Sequence, residues 1–435
     1  MKLVKSLVLG SAAALVTMTG VANAADLPGA EPVDYVKVCD IKGSTGFFYI
    51  PGTETCLQVG GFARLEMTSG ELLDNPNTLN KKEDEFNRTG YRVRARVWFD
   101  ARTDTEYGAL RTFVRLQFQR ETGTANAVDR RAQIQNANFG DDALFDQAFV
   151  QFAGLTAGVT DSFWDFKPYT TFMNPFISDR TLAVLAYTLK VGDFSASVSL
   201  EDKTARYFNT AQSLLNSGQE VPDIVANLRV KQGWGEAQLS GVLHRIEPAD
   251  GARVPALVGA DSEWGWGVQG GLKVNLPTAN TSDAKGDFIW GQAAYTNGAG
   301  TSYNGLTDNN NGSGQTQNVV NSFQPIFDWV PGVGGKIEKT KTFNANLGVL
   351  HYWSPKWRST LQVSYVQQNY NKAVAVADDW KAGTITGNLV WSPVKKLDIG
   401  GELVYVKNLK KADIGYTGPK DKDAFVGRLR VQRDF

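Results

Sequence analysis

The feature that most constrains this 435-residue chain is a hydrophobic period of two residues. From Tyr91 to Arg102 the positions Tyr91, Val93, Ala95, Val97, Phe99 and Ala101 are apolar, and between them lie Arg92, Arg94, Arg96, Trp98, Asp100 and Arg102. Successive side chains of a strand point to opposite faces, so this segment fits a strand with one apolar and one cationic face. Leu110, Val114, Leu116 and Phe118 alternate in the same way with Arg111, Phe113, Arg115, Gln117 and Gln119. Phe194, Ala196, Val198 and Leu200 oppose Ser195, Ser197, Ser199 and Glu201, and Ile224, Ala226, Leu228 and Val230 oppose Asn227, Arg229 and Lys231. Residues 264–276 and 397–407 repeat the pattern, and 44 glycines suit a chain of many strands and turns.

Alternation alone also describes a soluble sandwich; the links between strands separate the two. Sixteen strands are expected, near residues 56, 90, 108, 144, 156, 182, 194, 223, 235, 264, 286, 342, 357, 381, 396 and 424. Tight links at Thr103-Asp104-Thr105-Glu106, Val191-Gly192, Gln232-Gly233, Ser354-Pro355 and Ser392-Pro393-Val394 are spaced between long polar segments. The long segments include 70–87, 121–142, 202–222 and 298–341, the last holding a surface tract from Thr307 to Gly314. Short links at one end and long loops at the other are how transmembrane β-barrels are built. Trp264, Trp266, Tyr352, Trp353, Trp357, Trp391 and Tyr405 fall near strand ends, as interfacial girdles require. Phe435 closes an alternating last strand with Val431, Leu429 and Phe425, resembling the signal by which such barrels engage the barrel-assembly machinery.

Lys2 and Lys5, the apolar run Leu7 to Val21 and the small-x-small site Ala22-Asn23-Ala24 form a secretory signal peptide over residues 1–24. The expected mature barrel is 25–435, with an N-terminal segment 25–55 and strands from 56. Past Ala24 no stretch reaches the roughly 18 apolar residues of a membrane-spanning helix. Export to an oxidising compartment predicts a disulfide between Cys39 and Cys56, two free buried thiols being the alternative. With 45 basic and 45 acidic residues the chain lacks the cationic excess of a nucleic-acid binder.

Two histidines leave little for a catalytic or metal site. His244 shares a face with Glu236, Gln238 and Ser240, whereas His351 shares one with Phe343, Leu347 and Val349, so they cannot serve one site. His244 with a serine of a neighbouring strand is the remaining hydrolase geometry. Gly265-Trp266-Gly267-Val268-Gln269-Gly270 matches a dinucleotide-binding spacing but lies inside an alternating strand with no helix after it. The acidic run Glu83-Asp84-Glu85 reads as a solvated charge run rather than a calcium site. No enzyme, cofactor or resident metal is expected.

Several stretches together resemble the trimeric porins of alphaproteobacterial outer membranes. They are 35–39, 47–56, the segment Asp100-Ala101-Arg102-Thr103-Asp104-Thr105-Glu106-Tyr107-Gly108, 148–155, 162–166 and 429–435. The resemblance implies an all-β, sixteen-stranded antiparallel barrel with short periplasmic turns and long extracellular loops. It implies three copies per assembly, set among outer-membrane lipid and lipopolysaccharide, passing small hydrophilic solutes and ions. It also implies a third loop, 163–180, folded inward as a constriction carrying Asp165 and Asp179, with Asp161 just before it. Within such a barrel Arg92, Arg94, Arg96, Arg111 and Arg115 face the lumen, since facing lipid would cost about 2–4 kcal/mol each. Five neighbouring cations need anions opposite or water around them, and the loop acids are the expected anions. A substrate-selective channel for sugars or anions, and a non-conducting structural or receptor barrel, are the alternatives.

Overall fold

The computed structural model describes residues 38–39, 46–71, 89–123, 140–206, 215–249, 260–277, 286–306, 326–332, 334, 336–371, 378–410 and 423–435. Sixteen long strands, numbered in chain order, make up the body. The first eight are β1 (Cys56–Glu71), β2 (Thr89–Thr103), β3 (Leu110–Gly123), β4 (Gly140–Phe152), β5 (Leu155–Asp161), β6 (Thr181–Val191), β7 (Phe194–Glu201) and β8 (Asp223–Gln232). The second eight are β9 (Gly235–Ile246), β10 (Glu263–Asn275), β11 (Phe288–Asn297), β12 (Lys341–Ser354), β13 (Trp357–Asn369), β14 (Trp380–Trp391), β15 (Leu397–Lys410) and β16 (Asp423–Asp434). Each strand pairs antiparallel with the next, and β16 pairs back onto β1, Val431 opposite Leu65 and Asp434 opposite Phe62. The sheet is therefore a closed ring with every strand paired on both sides, the form in which strands can cross a membrane.

All sixteen expected strands are present, because each pairs one apolar face with one polar face and closure gives each face one environment. Val93 is 51% exposed outside and Arg94 3% exposed inside. Leu189, Leu239, Leu347, Leu403 and Leu429 join Val93 on an exposed outer belt, while Gln238, Gln362 and Thr386 are buried within. A belt of exposed leucines around a whole molecule is stable only in lipid. Tight links occur at one end, such as Ala153-Gly154 and Gly192-Asp193. Ala153 (φ 48°) and Gly154 (φ 90°) adopt the left-handed backbone that a two-residue hairpin demands. One link at this end, 276–287, is longer than the alternation of short and long links suggests.

Trp264, Trp266, Trp353, Trp357 and Trp391 are exposed near strand ends. Tyr352 departs from that girdle: it shares parity with Leu350, so it turns inward and packs against Ile177, Phe288, Trp290 and Leu350. Segment 298–340 also departs from a plain surface loop. Its flanks bury Ala299, Tyr303, Leu306, Ile326 and Trp329, and Trp329–Pro331 pairs with Ile337–Lys339 as a small hairpin. The tract 307–314, the run 83–85 and the signal segment 1–24 lie outside the described residues.

Cys39 and Cys56 are disulfide-bonded. The bridge fixes the N-terminal segment to the start of β1, where a short strand, Phe48–Tyr49, pairs with Leu57 and Cys56. Arg102 stacks over the Phe47 ring at 4.6 Å, closing this small apolar unit from the lumen side.

Candidate functional site

Residues 162–180, between β5 and β6, lie inside the barrel as an extended segment without helix or strand. Their apolar side chains seat them: Trp164, Phe166, Met173, Phe176 and Ile177 are all at most 2% exposed. Backbone groups of so irregular a segment need partners when buried, and the inner wall supplies them mostly as neutral side chains. Asn227 donates to Phe163 O (2.6 Å), and Gln238, Ser240 and Gln269 all donate to Trp164 O (3.2, 3.1 and 2.8 Å). Asn344 and Asn346 donate to Phe176 O, and Asn388 donates to Thr170 O. At the tip, Glu402 accepts the Phe172 and Met173 N–H groups at 2.5 and 2.7 Å. Arg428 and Arg430 approach Phe172 O, and Arg430 stacks over the Phe172 ring at 4.0 Å.

Two glycines of β10 make room for this seat. A Cβ on Gly271 would lie 2.4 Å from the Phe166 ring, and one on Gly267 would lie 2.7 Å from Thr296 and 3.3 Å from Trp164. The glycine-rich stretch that mimics a dinucleotide motif is thus a landing place for loop aromatics.

These contacts carry the loop along the inner faces from β7 to β16. Across the lumen stand β1 to β4, and here the wall is ionic. Register places side chains of β16, β1, β2 and β3 in rows. One row reads Arg430, Glu66, Arg92, Glu121, with Arg430 on Glu66 at 2.5 Å and Arg92 paired to both glutamates. The next, toward the tight turns, reads Gln432, Arg64, Arg94, Gln119; Arg64 Nε donates to Gln432 (2.7 Å) and Arg94 to Gln119 (3.0 Å). In the third, Arg96 donates to Gln117 and pairs with Asp146, which also holds Arg115. Nearer the turns Asp100 bridges Arg102 and Arg111 at 2.9 Å each.

Arg92, Arg94, Arg96, Arg111 and Arg115 therefore lie on the inner face, but the acids bound to them are Glu66, Asp100, Glu121 and Asp146. Asp161, Asp165 and Asp179 instead surround Lys167, whose Nζ is 3.2 Å from Asp161 and 3.6 Å from Asp165. Burial alone would lower the Lys167 pKa; the three carboxylates more than offset it and hold the ammonium above its usual range. Burial pushes the Asp165 carboxyl up to about 7, and it accepts the Arg180 N–H at 2.7 Å. Asp165 thus anchors the loop behind its surface and does not face the lumen.

Glu66 and Glu121 stand in alternation with the arginines of their own strands, so periodicity could have found them. Asp146 could not be found that way. Gln147 faces Arg115 and Phe145 faces Leu116, so Asp146 is the extra residue of a bulge that turns it inward out of period.

His244 Nδ1 meets Asp223 at 2.8 Å, and Asp223 also accepts the Tyr303 hydroxyl at 2.5 Å. Burial raises the Tyr303 pKa well above its usual value. Arg206 covers the Tyr303 ring at 3.9 Å and pairs with Glu201. This buried set ties loop segments to the wall, with His244 Nδ1 engaged by the Asp223 carboxylate.

A model of the Porin subfamily matches residues 27–427. The chain belongs to the porin family. Porin Omp2b of Brucella canis is 31% identical over 446 residues, covering 99% of each chain, and Porin Omp2b of Brucella suis is 29% identical over 457 residues, covering 99% of this chain and 100% of that one. Among solved structures, the outer membrane channel DcaP of Acinetobacter baumannii superposes with a TM-score of 0.60 over 89% of this porin and 99% of that chain. At 15% identity it speaks for the shared fold. The protein is an outer-membrane porin, its barrel crossing the membrane in sixteen strands.

Proposed function

We propose that this porin passes small hydrophilic solutes and ions passively through a water-filled lumen. The passage is narrowest between segment 162–180 and the arginine-bearing inner faces of β1 to β4. The observation that carries this is the seat of the loop: aromatic rings and amide side chains fix it along the wall from β7 to β16. A fixed loop facing charged side chains discriminates by width and field rather than by chemistry. His244 is fully buried, so a solute in the lumen does not meet it.

Three copies form the assembly, surrounded by outer-membrane lipid and lipopolysaccharide. Residues 1–24 direct export and are removed. The exposed ring of Phe435 on the outer face serves the assembly machinery as a recognition mark. Sugars of increasing size, offered to liposomes holding the purified protein, should enter at steadily falling rates, and planar bilayers should show conductance in groups of three steps. A protein that inserts but carries no current would favour the structural-barrel reading.

A further inference from the structure

Side-chain length sorts the charges of the wall facing the loop. A carboxylate on a short stem stays against the sheet, while a guanidinium on its longer stem reaches over it toward water. The Asp100 side chain is 6% exposed and its partners Arg102 and Arg111 are 24% and 29% exposed. Glu66 is fully buried beneath Arg430, and Asp146 lies under Arg115. In these pairs the charge separates radially, negative at the sheet and positive at the lumen, whereas Arg92 and Glu121 lie at one depth.

In the middle of the wall the charges do not balance even radially. Arg64 and Arg94 face each other directly across β1 and β2, a placement in which like charges repel. Both bind glutamine oxygens, and Arg96 and Arg115 share the one carboxylate of Asp146. Four guanidiniums here meet one carboxylate. Arg64 and Arg96 both lie against the Phe62 ring, at 4.6 and 5.6 Å from its centroid, so two guanidiniums gather at one side chain of the inner face. On the loop side Asp161, the more exposed member of its pair with Lys167, sets one acidic charge opposite the arginines.

We infer that the passage selects anions, and that Arg64 and Arg96, backed by buried Arg94, form a subsite for one small oxyanion group. A guanidinium fork takes two oxygens side by side, so a carboxylate or phosphate fits where chloride satisfies charge alone. The inference rests on the channel reading above and names the solute class it favours.

The test uses the purified porin in planar bilayers, first in a potassium chloride gradient, then in symmetric chloride with acetate or inorganic phosphate added separately. The zero-current potential should have the sign of chloride excess, and each probe should reduce conductance to a saturating limit. Joint Arg64→Gln and Arg96→Gln replacement should lower the chloride-to-potassium permeability ratio by about fivefold per charge removed, the factor one elementary charge exerts at contact distance in water. It should also abolish saturation. Arg64→Lys keeps the charge but loses the fork, so it should retain selectivity and weaken the block. Saturation by one probe alone assigns the subsite to that oxyanion. A potassium-favouring potential, or a block linear in probe concentration or unchanged by Arg64→Gln with Arg96→Gln, overturns the inference. Absence of current steps in the native protein overturns the channel reading instead.

Discussion

The two halves of the inner wall solve different problems with different residues. From β8 to β14 the lumen-facing groups that touch the loop are Asn227, Gln238, Ser240, Gln269, Asn344, Asn346 and Asn388, all neutral. Across the lumen, the inner face from β1 to β4 carries Arg64, Arg92, Arg94, Arg96, Arg111 and Arg115 with Glu66, Asp100, Glu121 and Asp146. Covered wall must leave water, and an amide loses less on leaving it than an ion does. On the opposite wall charge is held by pairing, with Glu66, Asp100 and Glu121 buried against arginines, and the more exposed guanidiniums set the field of the passage. Neutral side chains thus hold the middle of the loop's seat, with Glu201 and Glu402 as buried charged holds toward its ends.

Trp164→Ala should strain the covered half most. It empties a fully buried indole site and removes the Trp164 Nε1 hydrogen bond to Tyr303 O (2.9 Å), at a cost of about 3–5 kcal/mol for the indole alone. Single-channel conductance should rise and become noisier, while the zero-current potential, governed by the opposite wall, should hold. A potential that moves with conductance would show the halves to be one unit. Glu402→Gln comes next: the two tip N–H groups bind different carboxylate oxygens, so turning one oxygen into an NH2 leaves one N–H facing a donor, at a cost of about 1–3 kcal/mol. Its conductance should lie between those of native protein and Trp164→Ala. An effect as large as that of Trp164→Ala would place the hold on the loop at its tip.

A third test is a pH dependence. Asp165 has a folded pKa near 7 against 3.8 for the free side chain, so between those values the folded protein holds a proton that the unfolded chain has released. Its contribution is complete below about pH 4 and is lost as pH rises through 7. Thermal melts in detergent should show native protein losing ground to Asp165→Asn across that interval. Parallel curves would mean that Lys167 neutralises Asp165 throughout.

The barrel was legible because every strand obeys one rule of parity, and Arg92, Arg94 and Arg96 declare their face without outside information. Trp164, Phe166, Phe172 and Phe176 mark the loop's anchors in the sequence itself, since burying such rings favours a fixed position. Charge pairing was less so. The loop acids were expected to face the wall arginines, but Lys167, within the same segment, gathers them first. Asp146 broke parity through a bulge, and the inward turn of Tyr352 was masked by the habit of reading every terminal aromatic as interfacial. Parity assigns faces; it does not assign partners, which depend on register between strands far apart in the chain.

The seam between β16 and β1 joins residues more than 350 positions apart, as in the Arg64 contact with Gln432. Until that seam zips, both terminal strands present open edges able to recruit foreign strands, and the entropy of bringing such distant segments together must be met before any of its hydrogen bonds form. Assembly of this molecule is consequently exposed to that hazard until the ring is closed. The Phe435 N–H bond to Gly61 O, at 2.9 Å, sits at the end of that seam. Shortening the chain by even a few residues should lengthen the time spent as an open sheet far more than it alters the finished ring.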